Sequence, residues 1–168
     1  MRRSLTWLGL VGLLTLLLAA CGGDDSLSDE AYFQALADVG AESDARLEPL
    51  YAPFAGDESG AAFLRGGEEA AVTFLDGLQA VMAEARDAVA ALAAPSDLTA
   101  ANDAFVEAAD AMIAEIDRAR LRVEAGDLES VFEEVEPAAF DEFRRACARL
   151  QQLALDRGFD PKLSCAEE

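Results

Sequence analysis

Apolar residues recur every three to four positions through four long segments of this 168-residue chain. The clearest stripe is Ala71, Leu75, Leu78, Met82, Ala85, Val89 and Leu92. This spacing places side chains on one face of an α-helix, whereas a half-buried strand needs alternation with a period of two. No window alternates in that way over a useful length, and β-branched residues are sparse. The pattern therefore predicts an all-α fold.

Residues that start or stop helices divide this pattern into four helices. In chain order they are Ser28, Pro49, Pro53, Gly66, Gly67, Pro95, Gly126, Pro137 and Gly158. Ser28 is predicted to cap a first helix from Asp29, and Ser96-Asp97 to cap the third helix. We expect a loop at residues 56–60 and a linker or short helix at residues 127–136.

Four amphipathic helices with short connections predict an up-down bundle over residues 28–168, ending in an extended C-terminal tail. Because the apolar period is near 3.5, a coiled-coil-like dimer is the alternative. The predicted core residues, taken from the stripes of the last three helices, are Leu75, Leu78, Met82, Phe105, Ile116, Phe143 and Leu150.

The N-terminus combines a charged start, Met1-Arg2-Arg3, with an apolar run from Leu5 to Ala20. This order, ending in small residues, is typical of a secretory signal peptide. The segment Leu18-Ala19-Ala20-Cys21 resembles the lipobox of bacterial lipoproteins. The resemblance implies cleavage before Cys21, which then carries a lipid that anchors the protein to the extracytoplasmic face of the cell membrane. Residues 1–20 are accordingly read as the signal peptide and residues 21–27 as a lipidated tether.

Two other interpretations of the N-terminus are weaker. An uncleaved membrane-spanning helix needs ~20 residues, and the run from Leu5 to Ala20 has 16. A soluble secreted protein would keep Cys21 as an odd thiol, which is unusual outside the cell. Stable anchoring takes more than one acyl chain, as lipoprotein acylation supplies.

Cys147 and Cys165 are the remaining cysteines, and they predict a disulfide that holds the tail to the last helix. Export to an oxidising compartment favours this pairing. A redox or nucleophilic pair is the alternative, but the two residues lack CxxC spacing and the chain has no histidine. The surrounding pattern, with Cys147, Leu150, Leu153, Ala154 and then Leu163-Ser164-Cys165, resembles uncharacterised helical lipoproteins of high-GC bacteria.

Charge and composition exclude several functions. The formal net charge is −20, so the surface repels nucleic acid and anionic headgroups, and no nucleic-acid partner is expected. The absence of histidine excludes Ser-His-Asp and Cys-His catalysis, His-ligated haem and His-containing zinc sites. We identify no catalytic residues, no metal ligands and no cofactor.

Two groups of charged residues are candidate sites. Asp103, Glu107, Asp110 and Asp117 share one face of the third helix and could bind a divalent cation. That face points away from the apolar stripe, so we expect it to be solvated, and a di-iron site would need Glu-x-x-His. The arginines are expected to pair with acids on neighbouring helices, with an anionic ligand as the alternative. They are Arg118, Arg120, Arg122, Arg144, Arg145 and Arg149.

These observations predict a lipid-anchored extracytoplasmic helical domain that is a non-enzymatic binding or interaction module. Its expected contacts are the membrane, through the lipid on Cys21, and a protein of the cell envelope. The alternative is a carboxylate-based metal-binding protein or enzyme of the envelope. The alternative requires two or more acidic side chains to converge in the bundle interior, whereas an interaction module requires acids that face solvent.

Overall fold

The computed structural model describes residues 26–54, 61–128, 137–163 and 165, and this part of the chain is all-α. Its helices are α1 (Asp29–Tyr51), α2 (Ala61–Ala90), α3 (Thr99–Glu124) and α4 (Pro137–Asp156), with a 3-10 turn at Ala52–Phe54 after α1. The predicted four-helix bundle with an extended tail is confirmed. None of the helices within those ranges has the length and apolarity that crossing a membrane requires.

Several sequence predictions concern other parts of the chain. The signal peptide, the lipobox and Cys21 lie outside the described residues, as do the predicted loop at residues 56–60 and most of the predicted linker at residues 127–136.

Most predicted helix boundaries are confirmed by the local hydrogen bonds and dihedral angles. The Ser28 hydroxyl caps α1 by accepting a hydrogen bond from the Ala31 N–H at 3.3 Å. Gly126 and Gly158 follow α3 and α4 with φ of 85° and 82°, the left-handed conformation that ends many helices. Gly67, one of the residues predicted to start or stop a helix, interrupts α2 with φ of 73°.

The predicted cap of α3 at Ser96-Asp97 is wrong. Leu98 occupies the N-cap position and makes no side-chain capping bond. The Pro95 carbonyl instead accepts hydrogen bonds from the N–H groups of Leu98 and Thr99, at 2.8 and 3.0 Å. Leu98 is fully buried. Burying a leucine contributes ~1.5–3 kcal/mol, more than the ~1 kcal/mol typical of a cap, so the apolar side chain sets where this helix begins.

The core consists of two clusters. The first lies between α2 and α3 and contains Ala71, Leu75, Leu78, Met82, Met112, Ile116, Ala119 and Val123. The second joins the start of α1 to the end of α4 and contains Tyr32, Phe33, Leu36, Val89, Leu98, Leu150 and Ala154. All the predicted core residues are buried except Phe105 and Phe143, which are half-buried and pack together with ring centroids 5.2 Å apart.

Arg157 brings three elements together at one end of the bundle. Its guanidinium lies 3.0 Å from the Asp29 carboxylate at the start of α1 and 2.5 Å from the Asp97 carboxylate between α2 and α3. Arg157 itself directly follows α4. The start of α1, the end of α2 and the end of α4 therefore share this end, as an up-down bundle requires.

A buried hydrogen bond ties α1 to α3 in the second cluster. The Tyr32 hydroxyl donates to Asn102 Oδ1 at 2.9 Å, and both side chains are buried. Burial, with a smaller effect from the Asp103 carboxylate, raises the pKa of Tyr32 to about 12. The neutral phenol is therefore the form that the fold requires.

This tyrosine predicts a loss of stability in alkali. Because the pKa of about 12 in the folded chain lies above the ordinary tyrosine value of 10.0, the stability that the neutral phenol contributes is complete below pH 10 and is lost as the pH rises from 10 to 12. Denaturant unfolding at pH 8.5 to 11.5 measures it. Tyr32→Phe should lose ~1–3 kcal/mol at pH 8.5, because Asn102 keeps an unpaired oxygen, and should have a flatter alkaline profile. Parallel profiles for the variant and the parent chain would refute the assignment.

Candidate functional site

The C-terminal tail runs back along α4. The Leu163 N–H donates to Gln151 Oε1 at 2.9 Å, and Gln151 Nε2 donates to Asp160 Oδ1 at 3.1 Å. The predicted disulfide between Cys147 and Cys165 is confirmed, with Cα atoms 5.5 Å apart. The tail is thus bound to α4 over about half the length of that helix.

The same tail also contacts α1. The Phe159 ring packs on Phe33, with centroids 5.5 Å apart. A β-carbon at Gly40 would lie 3.9 Å from Leu163 Cδ2, an ordinary van der Waals distance. Pro161, between these two contacts, is buried. The tail therefore fills the groove between α1 and α4 in the half of the bundle that holds the second core cluster.

Beyond Leu163 this groove contains a cavity of about 120 Å³. All four helices and the tail contribute to its wall, in which Met82 belongs to the first core cluster and Leu36 to the second. Apart from Ser43 and Asp44 the lining side chains are apolar, and the Ser43 hydroxyl already donates to the Val39 carbonyl at 2.8 Å. We call this space the α1/α4 cavity.

The second half of α1 covers the cavity and contacts the core only through half-buried side chains, such as Val39 and Leu47. The buried residues of this helix are Tyr32, Phe33 and Leu36, all in its first three turns. From Val39 onward its side chains are half-buried or exposed. This half of α1 is therefore the more exposed wall of the cavity.

A more polar groove adjoins the cavity on the α2 side of α1. The groove and the cavity share Val39, Ser43 and Ala85 in their linings. Glu42, Arg46 and Glu84 also line the groove, and Arg46 forms an ion pair with Glu84, with Nη2 3.0 Å from Oε1. The cavity therefore has a charged border where α1 meets α2.

The acidic face of α3 lies apart from this cavity. Asp103, Glu107 and Asp110 are exposed, Asp117 is half-buried, and none of them lines the cavity. Asp110 lies 3.3 Å from Arg86 Nε on α2. Within the described ranges, no three Asp, Glu, Cys or His side chains are grouped closely enough to hold a metal ion.

Sequence reasoning missed Glu115, which is 2% exposed. Its carboxylate pairs with Arg118 and with Arg122, whose Nη2 lies 3.4 Å from Oε1. Glu115 follows the buried Met112 by three positions and precedes the buried Ala119 by four. This spacing places it on the inward face of α3 and could have indicated its burial from the sequence. It is the one buried acid among the described residues, so two acids do not converge in this part of the interior.

The predicted partners of the arginines need correction. Arg118, Arg120 and Arg144 pair with acids three or four positions away on their own helices, where side chains are neighbours on the helix surface. Arg120 Nε also lies 3.6 Å from Asp76 on α2, which is the cross-helix type predicted. Arg145 and Arg149 are exposed.

The structure thus brings together one pair of predicted site residues, Cys147 and Cys165, beside a cavity that the sequence did not indicate. Comparison of the chain with protein-family models, curated proteins and solved structures finds no match.

Proposed function

We propose that this chain is a lipid-anchored, extracytoplasmic and non-enzymatic binding module whose site is the α1/α4 cavity. The observation that carries the proposal is the cavity itself, which is bounded by all four helices and the tail and lined almost wholly by apolar side chains. Such a lining suits the binding of an apolar molecule. Histidine is absent from the chain, and the acids of α3 lie away from the cavity.

The size of the cavity supports binding. The volume of about 120 Å³ is comparable to the ~150 Å³ of an engineered apolar cavity that binds xenon or benzene, and the space is partly open to solvent. Its apolar walls offer water few hydrogen-bonding partners. An apolar ligand that displaces this water gains contacts with the walls.

The methionines allow this binding to be tested at one site. Met82 lines the cavity, whereas Met112 is buried but does not. In the full chain labelled with ¹³C at the methionine methyl groups, xenon should shift the Met82 signal saturably and leave Met112 nearly unchanged. Gly40→Leu should abolish the shift, because Gly40 lines the cavity and the added side chain must occupy space there.

Ala41→Leu is the matched control, since it adds a leucine to the exposed side of the same helix. It should leave the xenon response unchanged. A Met82 signal that is insensitive to xenon in the unmodified chain would exclude the cavity as a binding site.

The anchor is supported by the lipobox-like segment Leu18-Ala19-Ala20-Cys21. In the native host, the mature N-terminus should begin at Cys21 and carry diacylglyceryl and acyl groups, as mass spectrometry will measure. Cys21→Ser should yield an unprocessed or released chain, whereas Ser26→Ala in the tether should be processed normally. An unmodified Cys21 on envelope-derived protein would disprove the anchor while leaving the cavity proposal intact.

A further inference from the structure

We infer that the C-terminal tail is an internal occupant of the apolar groove between α1 and α4, and that reduction of the Cys147–Cys165 disulfide releases it and enlarges the binding site. The tail is residues 159–163 together with Cys165. The inference rests on the proposed function, because the released groove joins the α1/α4 cavity. It follows from the side-chain pattern of the tail, the walls beneath it, the bonds that hold it and the position of the disulfide.

The tail presents one apolar edge to the groove. Pro161 is buried and Phe159 and Leu163 are half-buried, whereas the intervening Asp160 and Lys162 are exposed. Every second side chain therefore turns toward the helices, which is the periodicity of an extended segment with one buried edge. The tail thus fills the groove in the way that a bound peptide would.

The walls beneath the tail are apolar and continuous with the cavity. Phe159 and Leu163 pack against the second core cluster, which includes Leu36 and Leu150. Leu36, Leu150 and Leu163 also line the cavity. Release of the tail exposes these walls and adds the space of its side chains to the cavity. The enlarged site accepts apolar molecules that are too large for the cavity alone.

Few noncovalent bonds hold the tail in the groove. The Gln151 side chain makes hydrogen bonds to Asp160 and Leu163, but within the described residues no backbone hydrogen bond joins residues 160–163 to a helix. Lys162 has φ of 48°, a left-handed conformation that costs free energy for a residue with a β-carbon. The disulfide keeps these contacts formed, because it holds the tail at a high effective concentration beside α4.

The disulfide opens from the side of the tail, because Cys165 is half-buried whereas Cys147 is buried. One thiolate of a dithiol reductant attacks Cys165 Sγ, the bond between the two cysteine sulfurs breaks, and Cys147 leaves as a thiolate that takes up a proton. The second thiolate of the reductant attacks the sulfur of the first and releases Cys165, which is protonated in turn. Two electrons thus pass from the dithiol, which becomes a disulfide, to the protein, and the tail is freed.

Nile red, an uncharged apolar dye, tests the inference on the full chain labelled with ¹³C at the methionine methyl groups. The dye should shift the signal of Met82, which lines the cavity, and leave Met112 nearly unchanged. Its affinity, measured by titration of the Met82 signal, should rise roughly tenfold or more when dithiothreitol reduces the chain, because each further methylene-sized contact is worth about a factor of four. Reoxidation should restore the original affinity.

Leu163→Asn tests the tail without a reductant. The unreduced variant should bind the dye more tightly than the unreduced parent chain, because a polar side chain packs poorly in an apolar groove. Lys162→Asn is the matched control, since Lys162 is exposed and asparagine adopts the left-handed conformation readily. This control should keep the low affinity of the unreduced parent chain.

The outcomes separate this inference from the proposed function. A Met82 signal that is insensitive to xenon in the unreduced chain excludes the cavity as a binding site. Xenon binding combined with an unchanged affinity for Nile red on reduction overturns only the inference about the tail. Equal dye affinities for Leu163→Asn and Lys162→Asn overturn it as well. A Met112 signal that moves to its unfolded position on reduction would indicate general unfolding instead of release of the tail, and would also overturn it.

Discussion

Leu150→Ala is expected to lower the free energy of unfolding by ~2–5 kcal/mol. Leu150 is fully buried in the second core cluster and also lines the α1/α4 cavity. Truncation removes apolar contacts and enlarges a space that is already unfilled. The surrounding helices cannot readily close this larger space, so the lost contacts are not recovered. Equilibrium denaturation with urea measures the change.

Leu155→Ala supplies the control on the same helix. Leu155 is 48% exposed, and surface substitutions usually change stability by no more than ~0.5 kcal/mol. Equal losses for the two variants would contradict the placement of the core on this face of α4.

Cys165→Ser is expected to destabilise the fold by ~2–4 kcal/mol and to free a reactive thiol at Cys147. The residues are 18 apart in sequence, and closing a loop of about this length contributes ~3 kcal/mol in the chain-entropy model. Unfolding should be measured with and without a reducing agent, and thiols should be counted with a chromogenic disulfide. Reduction of the parent chain should lower its free energy of unfolding by the same amount, whereas reduction should not change the stability of the variant.

This variant also tests the role of the tail. Phe159, Pro161 and Leu163 fill the groove between α1 and α4, so loss of the disulfide should loosen the α1 wall as well as the tail itself. Hydrogen exchange of the amides after Val39 should quicken more than that of the α2–α3 core. Unchanged exchange in α1 would show that the tail is held to α4 alone.

The sequence predicted the parts of the fold that depend on local spacing. The stripes on α2, α3 and α4 identified the inward faces because each helix repeats every 3.6 residues whatever it packs against. The boundaries at Ser28, Gly126 and Gly158 follow from local hydrogen bonds and dihedral angles. The cysteines indicated a disulfide because few other pairings exist in a chain with three of them.

What could not be predicted depends on the distance between helices. Periodicity shows which residues face inward but not how closely two helices approach each other. The apolar pattern therefore did not indicate the space between α1 and α4. Phe105 and Phe143 pack at the edges of the core clusters and also line that space, so they are half-buried. The position of Leu98 shows a different limit, since tertiary burial outweighed the local capping preference of Ser96-Asp97.

The convergence of α1, the α2–α3 connection and α4 at Arg157 has a consequence for how an anchored bundle would stand on a membrane. Leu27, which bonds through its N–H to the Ala93 carbonyl at 2.7 Å, lies at that same end. Leu27 is six residues from Cys21, so the tether between them spans at most ~20 Å at full extension. If Cys21 carries a lipid, as proposed above, this tether would hold the Arg157 end of the bundle nearer to the bilayer than the Gly126 end.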